Sequence, residues 1–128
     1  MRILKVEPGE QPQIVDIDNT LSSLQDAVGG YIQVIYPFDD PVAIICDDEG
    51  KMKCYPPNRV LRDEDGDIYD ILVGTFLIVG LCEDDFMDLT DILIDKYMAE
   101  FGSVEYFLVN HGKVVMLDAY GIHFCGNI

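Results

Sequence analysis

Five carboxylates fall within the eight residues Asp63-Glu64-Asp65-Gly66-Asp67-Ile68-Tyr69-Asp70. Several carboxylate oxygens held together are what a hard cation such as calcium requires. The spacing tests that reading. With Gly66 as the turn glycine of an EF-hand loop, the first and last ligand positions fall on Leu61 and Leu72, and neither can ligate. An irregular calcium loop stays open beside a plain solvated acidic turn. Nucleophilic catalysis needs a Ser, Thr or Cys beside an activating base. Ser22 and Ser23 fall in a predicted helix, and Ser103 follows another. His111 sits at a predicted hairpin tip, and the spacing of His123 and Cys125 matches no nucleophile motif. Glycosidase-type carboxylate pairs can be picked anywhere among 24 acids, so they carry no specificity. Phosphate-cradling glycine loops are absent. Cys46, Cys54, Cys82 and Cys125 contain no C-x-x-C pair and read as small buried or half-buried thiols, neither zinc ligands nor disulfide partners. The expectation is a non-enzymatic protein with no catalytic residues, no metal and no cofactor.

What remains is the clustering of acids. Asp63, Glu64, Asp65, Asp67, Asp70, Glu83, Asp84, Asp85, Asp88, Asp91, Asp95 and Glu100 are 12 of the 24 acids in 38 residues, opposed within the segment only by Lys96. On a helix, Asp88, Asp91 and Asp95 are separated by about 4.5 and 6 Å of rise. Phosphates along one DNA strand recur on that scale, so such a row can present phosphate-like charge to Lys and Arg. Acids on the solvated face of an amphipathic helix, favoured near its N-terminus by the dipole, explain the same pattern without a partner. Arg59, before the acidic loop, is expected to clamp that loop by a bidentate pair or to contact a partner.

The elements that must position these residues follow from periodicity and punctuation. Ile3–Val6 and Gln13–Ile17 read as a hairpin around Pro8-Gly9-Glu10. Asp18-Asn19-Thr20, the helical spacing of Leu21, Leu24 and Val28, and the stop at Gly29-Gly30 predict a helix over 20–28. Tyr31–Tyr36 is β-rich. Val42–Cys46 and Lys51–Tyr55 flank a polar turn and predict a second hairpin. Pro56-Pro57-Asn58-Arg59 begins a loop or a single helical turn, and Thr75–Val79 is apolar enough for a buried central strand. Leu89, Ile92, Leu93, Tyr97 and Phe101 share a stripe, which predicts a second helix over 88–101 with Asp88 capping it. Val104–Val109 and Lys113–Leu117 form a last hairpin around Asn110-His111-Gly112. Hairpins interleaved with two helices predict an α+β fold: a mostly antiparallel sheet with helices packed on it. With 128 residues and no linker, repeat or low-complexity tract, the chain reads as one domain over 1–128.

Composition narrows the partners. The formal net charge is −16, and the eight bases form no run, so direct nucleic-acid binding is not expected. The electrostatic complement of this chain is a basic surface, such as one that itself holds nucleic acid. No apolar run is long enough to span a membrane, the N-terminus reads as a strand rather than a signal peptide, and a cytoplasmic location is expected.

Several segments occur together in order: Val6-Glu7-Pro8-Gly9, Val28-Gly29-Gly30-Tyr31-Ile32, Pro37-Phe38-Asp39-Asp40, Asp48-Glu49-Gly50-Lys51, Pro57-Asn58-Arg59 and Gly74-Thr75-Phe76-Leu77-Ile78-Val79-Gly80. Over residues 3 to 100 the chain resembles a family of small proteins of unknown function carried by phages and conjugative elements of Gram-positive bacteria. The shared motifs look structural. The resemblance implies a mobile-element setting and, by association with anti-restriction modules, a role against host defence. Joined to the acidity, it implies an inhibitor that covers the basic nucleic-acid-binding surface of a host nuclease, of restriction or CRISPR type, by charge mimicry. The alternatives are an interaction module of the element's own machinery, binding through an apolar patch, and an enzyme or metal-binding protein with an unrecognised site.

Overall fold

The computed structural model describes residues 1–128. Its elements are β1 (Arg2–Val6), β2 (Gln13–Asp16), α1 (Leu21–Val28), β3 (Ile32–Ile35), β4 (Val42–Asp47), β5 (Pro57–Arg62), β6 (Ile68–Val73), β7 (Phe76–Cys82), β8 (Asp85–Met87), α2 (Asp91–Glu100), β9 (Tyr106–Asn110), β10 (Lys113–Asp118) and β11 (Gly121–Asn127). The α+β class read from the sequence is the class observed.

The continuous apolar runs have a simple cause. β1, β7 and β4 are central in an antiparallel sheet ordered β2-β1-β7-β4-β3, with β8 added to β7, and both of its faces are covered. Alternate residues of each strand therefore enter different cores. Ile3, Ala43, Ile45, Leu77 and Val79 meet Leu24 and Val28 of α1 on one face. Leu4, Val42, Ile44, Phe76 and Ile78 meet Ile94 and Tyr97 of α2, and Leu61 and Leu72 of the β5–β6 hairpin, on the other. The sheet β9-β10-β11 packs as a third unit, with Val114, Phe107 and Cys125 against Ile71 and Val73 of β6.

The first helix forms as its punctuation predicts. Thr20 Oγ1 accepts from the Ser23 N–H at 3.2 Å, and Gly29 closes the helix at φ +96°, donating to the Gln25 carbonyl. The second helix starts later than expected. Thr90, not Asp88, is the cap: its backbone is extended and its Oγ1 accepts from the Leu93 N–H at 3.3 Å. Asp88 instead accepts from the Arg2 backbone N–H at 2.9 Å, outside the helix. The hairpin expected between Val42–Cys46 and Lys51–Tyr55 does not form. β4 has β3 on one side and β7 on the other, so no edge is left, and residues 50–54 fold into turns. Pro57-Asn58-Arg59 is strand rather than loop. Proline is tolerated there because it opens the strand, where the register is already irregular. The acidic loop shrinks accordingly to the tip of the β5–β6 hairpin. Residues 121–127, unassigned in the sequence, pair with β10 as a third strand.

Candidate binding surface

The acidic tip is held by its own backbone. Asp63 Oδ1 accepts from the N–H groups of Asp65 and Asp67, both at 2.9 Å, and the Asp63 N–H returns a bond to the Asp67 carbonyl. Gly66 takes φ +85°, which a side chain would resist. Asp63, Asp65 and Asp67 bring their carboxylates within 4.8 Å of one another, all solvent-exposed. That is the ligand chemistry of a hard cation, although one Asp63 oxygen is already engaged by two amides.

The clamp expected of Arg59 belongs to Arg62, whose Nη1 donates to the Gly66 carbonyl at 3.1 Å. Arg59 points the other way and is 1% exposed, so it reaches neither the acidic loop nor any partner. The strand is covered on both faces from Asn58 to Leu61, which places Arg59 in the interior. There its Nε and Nη2 donate to the Phe101 carbonyl, Nη2 also to the Glu10 carbonyl, and Nη1 to the Asn58 carbonyl and side chain. Burial pulls its pKa down, opposed by the nearby Glu105 charge. One guanidinium thus joins the end of α2 to the β1–β2 turn.

The helical row of acids is also shorter than expected. Asp91 and Asp95 are helical, but Asp91 is paired with Arg2 Nη1 at 2.7 Å and Asp88 is tied to the Arg2 backbone. Asp70 pairs with Lys51 at 2.9 Å. Asp85 accepts from Asn19 and from its neighbour's amide, and those bonds, the Asn19 one first, hold its carboxyl below the usual range. Glu64, Asp65, Asp67, Glu83, Asp84 and Asp95 stay exposed with no ion-pair partner.

The fold then brings in two acids that sequence distance had hidden. Residues of the loop between β3 and β4 line two surface grooves. In one, Asp39 and Asp40 face Asp63, Glu64 and Glu100, with Arg62 and Lys96 the cations present. In the other, Tyr36 and Pro41 face Glu83, Asp84 and Asp85, with no cation. Eight carboxylates thus gather around one loop against two bases. Asp40 anchors the loop: its Oδ2 accepts from Lys96 Nζ and from the Tyr97 hydroxyl at 2.7 Å, and those two bonds hold its carboxyl low. Burial, with the bond to Asp40 second, pushes the Tyr97 phenol well above its ordinary value, so it stays a donor. The available signal was the acid pair at Asp39-Asp40, just past the end of a strand.

The candidate nucleophiles are not arranged for attack. His123 Nε2 faces Asp118 at 3.0 Å, but the Cys125 thiol bonds the His123 carbonyl instead of its ring. Burial pushes the Cys125 and Cys46 thiols up, the latter to about 11, away from the thiolate. All four cysteines are free, and only Cys46 and Cys125 are buried or half-buried as expected; Cys54 and Cys82 lie exposed, in a turn and at the end of β7.

The shared motifs meet in one place. An added Cβ at Gly29, Gly50 or Gly74 would strike Tyr55, at 2.7, 3.3 and 2.6 Å. One at Gly30 would strike Lys53 Nζ and the Asp47 carboxylate, which pair at 2.8 Å. Asn58 ties the Val6 and Gly74 carbonyls together from within the core. These residues hold the turns of the body together.

Residues 1–102 match a family model described as a domain of unknown function (DUF3846). No curated protein and no solved structure matches the chain. No helix is long and apolar enough to cross a membrane.

Proposed function

The chain belongs to the DUF3846 family, whose function is unknown, and from that premise we propose that it acts by binding: its acidic rim mimics nucleic acid and occupies the basic surface of a nucleic-acid-binding protein. The carrying observation is the rim itself, eight carboxylates against two cations around the loop from Tyr36 to Pro41. A fixed array of like charge is favourable only where counter-charge arrives, and Lys- and Arg-lined nucleic-acid channels supply it. The rigidity of the rim supports the reading. Asp40 is locked by Lys96 and Tyr97, and the Asp63 turn by its own amides, so the charges are pre-organised before a partner binds. Following the mobile-element setting that the resemblance implies, the partner class is a host nuclease of the restriction or CRISPR type.

The test is competition. A purified nuclease of that class, loaded with fluorescent duplex DNA, is titrated with the protein. Displacement is expected at about 50 mM salt, and direct binding of the protein to the nuclease without DNA is expected to weaken at least about tenfold between roughly 50 and 200 mM salt. Combining Asp39→Asn, Glu64→Gln, Glu83→Gln and Asp84→Asn removes four exposed carboxylates and is expected to abolish displacement. Direct binding indifferent to salt, or displacement unchanged in that variant, would sink the mimicry reading.

A further inference from the structure

The β9-β10-β11 sheet lies wholly beyond the matched residues 1–102 and presents an apolar face that nothing in the chain covers. Strand alternation sorts its side chains. Val114 and Met116 are buried against the body of the protein. The other parity faces out, and the register assembles it into two cross-strand rows. Tyr106, Leu117 and Ile122 are neighbours in one, and Leu108, Val115 and Phe124 in the next. The four on the outer strands are 66%, 70%, 56% and 62% exposed for Tyr106, Ile122, Leu108 and Phe124.

We propose that this face is a homodimer interface, two copies packing sheet on sheet about a twofold axis. Three observations select a second copy as the occupant. The first is charge. Asp118 is the one acid in residues 106–127, and it lies on the inner parity, against His123, so the face is free of the negative charge that marks the rest of the chain. A basic partner finds nothing to bind there, and a like face is not repelled locally. The second is register: the two rows lie side by side, so a twofold axis between them sets each row of one copy against the other row of the second, as an isologous contact requires. The third is area. At those exposures the four outer-strand side chains, with the half-buried Val115 and Leu117, offer roughly 500 Å² per copy, so two copies fully apposed bury up to about 1,000 Å², the threshold for a specific interface. The proposal does not rest on the mimicry reading.

The two also differ in salt dependence. Each copy carries −16, so long-range repulsion opposes pairing, and added salt relieves it. Sedimentation velocity on the full chain up to about 200 µM is expected to show a monomer–dimer equilibrium that tightens from roughly 50 to 500 mM salt, opposite in sign to an electrostatic mimic. Leu108→Lys with Phe124→Lys is expected to leave a monomer of unchanged thermal midpoint. Tyr106→Ser with Ile122→Ser, on the other row, is the second variant should the first unfold. A chain monomeric at every concentration and salt overturns the proposal. So does a dimer that persists in either folded variant, because another surface, such as the open edges of β9 and β11, then holds it.

Discussion

Arg59 shows how one side chain can be misread at the residue scale. It stands four residues before the acidic loop that opens at Asp63, but its partners are carbonyls at Phe101, Glu10 and Asn58. Lysine offers a point charge that cannot span those acceptors. Arg59→Lys is therefore expected to lose about 3 kcal/mol, seen as a fall of roughly 10 °C in the unfolding midpoint. DNA displacement by the remaining folded protein should be unaffected. Asp47 supports a pH prediction. Its side chain is buried, and burial alone would raise its pKa. Together, Lys53, the Glu49 N–H and Tyr55 outweigh burial and lower it. A carboxyl lowered on folding stabilises above its unfolded value, near pH 4, and that stability is lost as pH falls through the lower folded value. Acid unfolding followed from pH 7 to about pH 2 should thus be shallower in Asp47→Asn than in the parent. Gly30→Ala, whose Cβ would displace Lys53 from Asp47, is expected to lose about 2 kcal/mol and to show the same shallower acid limb.

For the elements, start signals were legible wherever they were local. Thr20 and Gly29 bound α1 because a cap needs only residues within four positions. For α2 the sequence pointed to Asp88 as the cap, and what moved the cap to Thr90 was not local. The Arg2 amide of β1 captures Asp88, which leaves Thr90 to cap. Thr90→Ala is expected to destabilise by about 1 kcal/mol, and Asp88→Ala by less, in denaturant unfolding. An equal or larger effect at Asp88 would restore the earlier helix start. The failed hairpin after β4 has the same kind of cause. Asp47-Asp48-Glu49-Gly50 does make a turn, but the strand it was expected to lead into has no edge to join, because β7 arrives from 30 residues downstream.

The whole molecule separates two kinds of surface. The rim around Tyr36–Pro41 concentrates negative charge, and the outer face of β9-β10-β11 carries none, Lys113 being the one charged residue of its parity. Salt should act on them with opposite signs, loosening any basic partner at the rim and tightening self-association at the sheet. Measuring both on one sample, by direct binding to the nuclease and by sedimentation, separates charge screening from a general effect of salt on stability. Charge removal at the rim should leave self-association intact or strengthen it, since it lowers the repulsion between copies.

Composition and short-range pattern were enough to establish the α+β class, a strand at Val42–Cys46, the buried strand within Thr75–Val79, the first helix with its caps, and the excess of acid. These are properties of a few adjacent residues or of the chain as a sum, so they survive any arrangement of the elements. Tertiary structure alone decided that Arg59 is interior, that Arg2 neutralises part of the helical row, and that Asp39 and Asp40 join Asp63 and Glu64 in one rim. Each depends on which strands lie side by side and on which face a strand turns inward. A register shift of one residue would reverse that face while leaving the composition untouched.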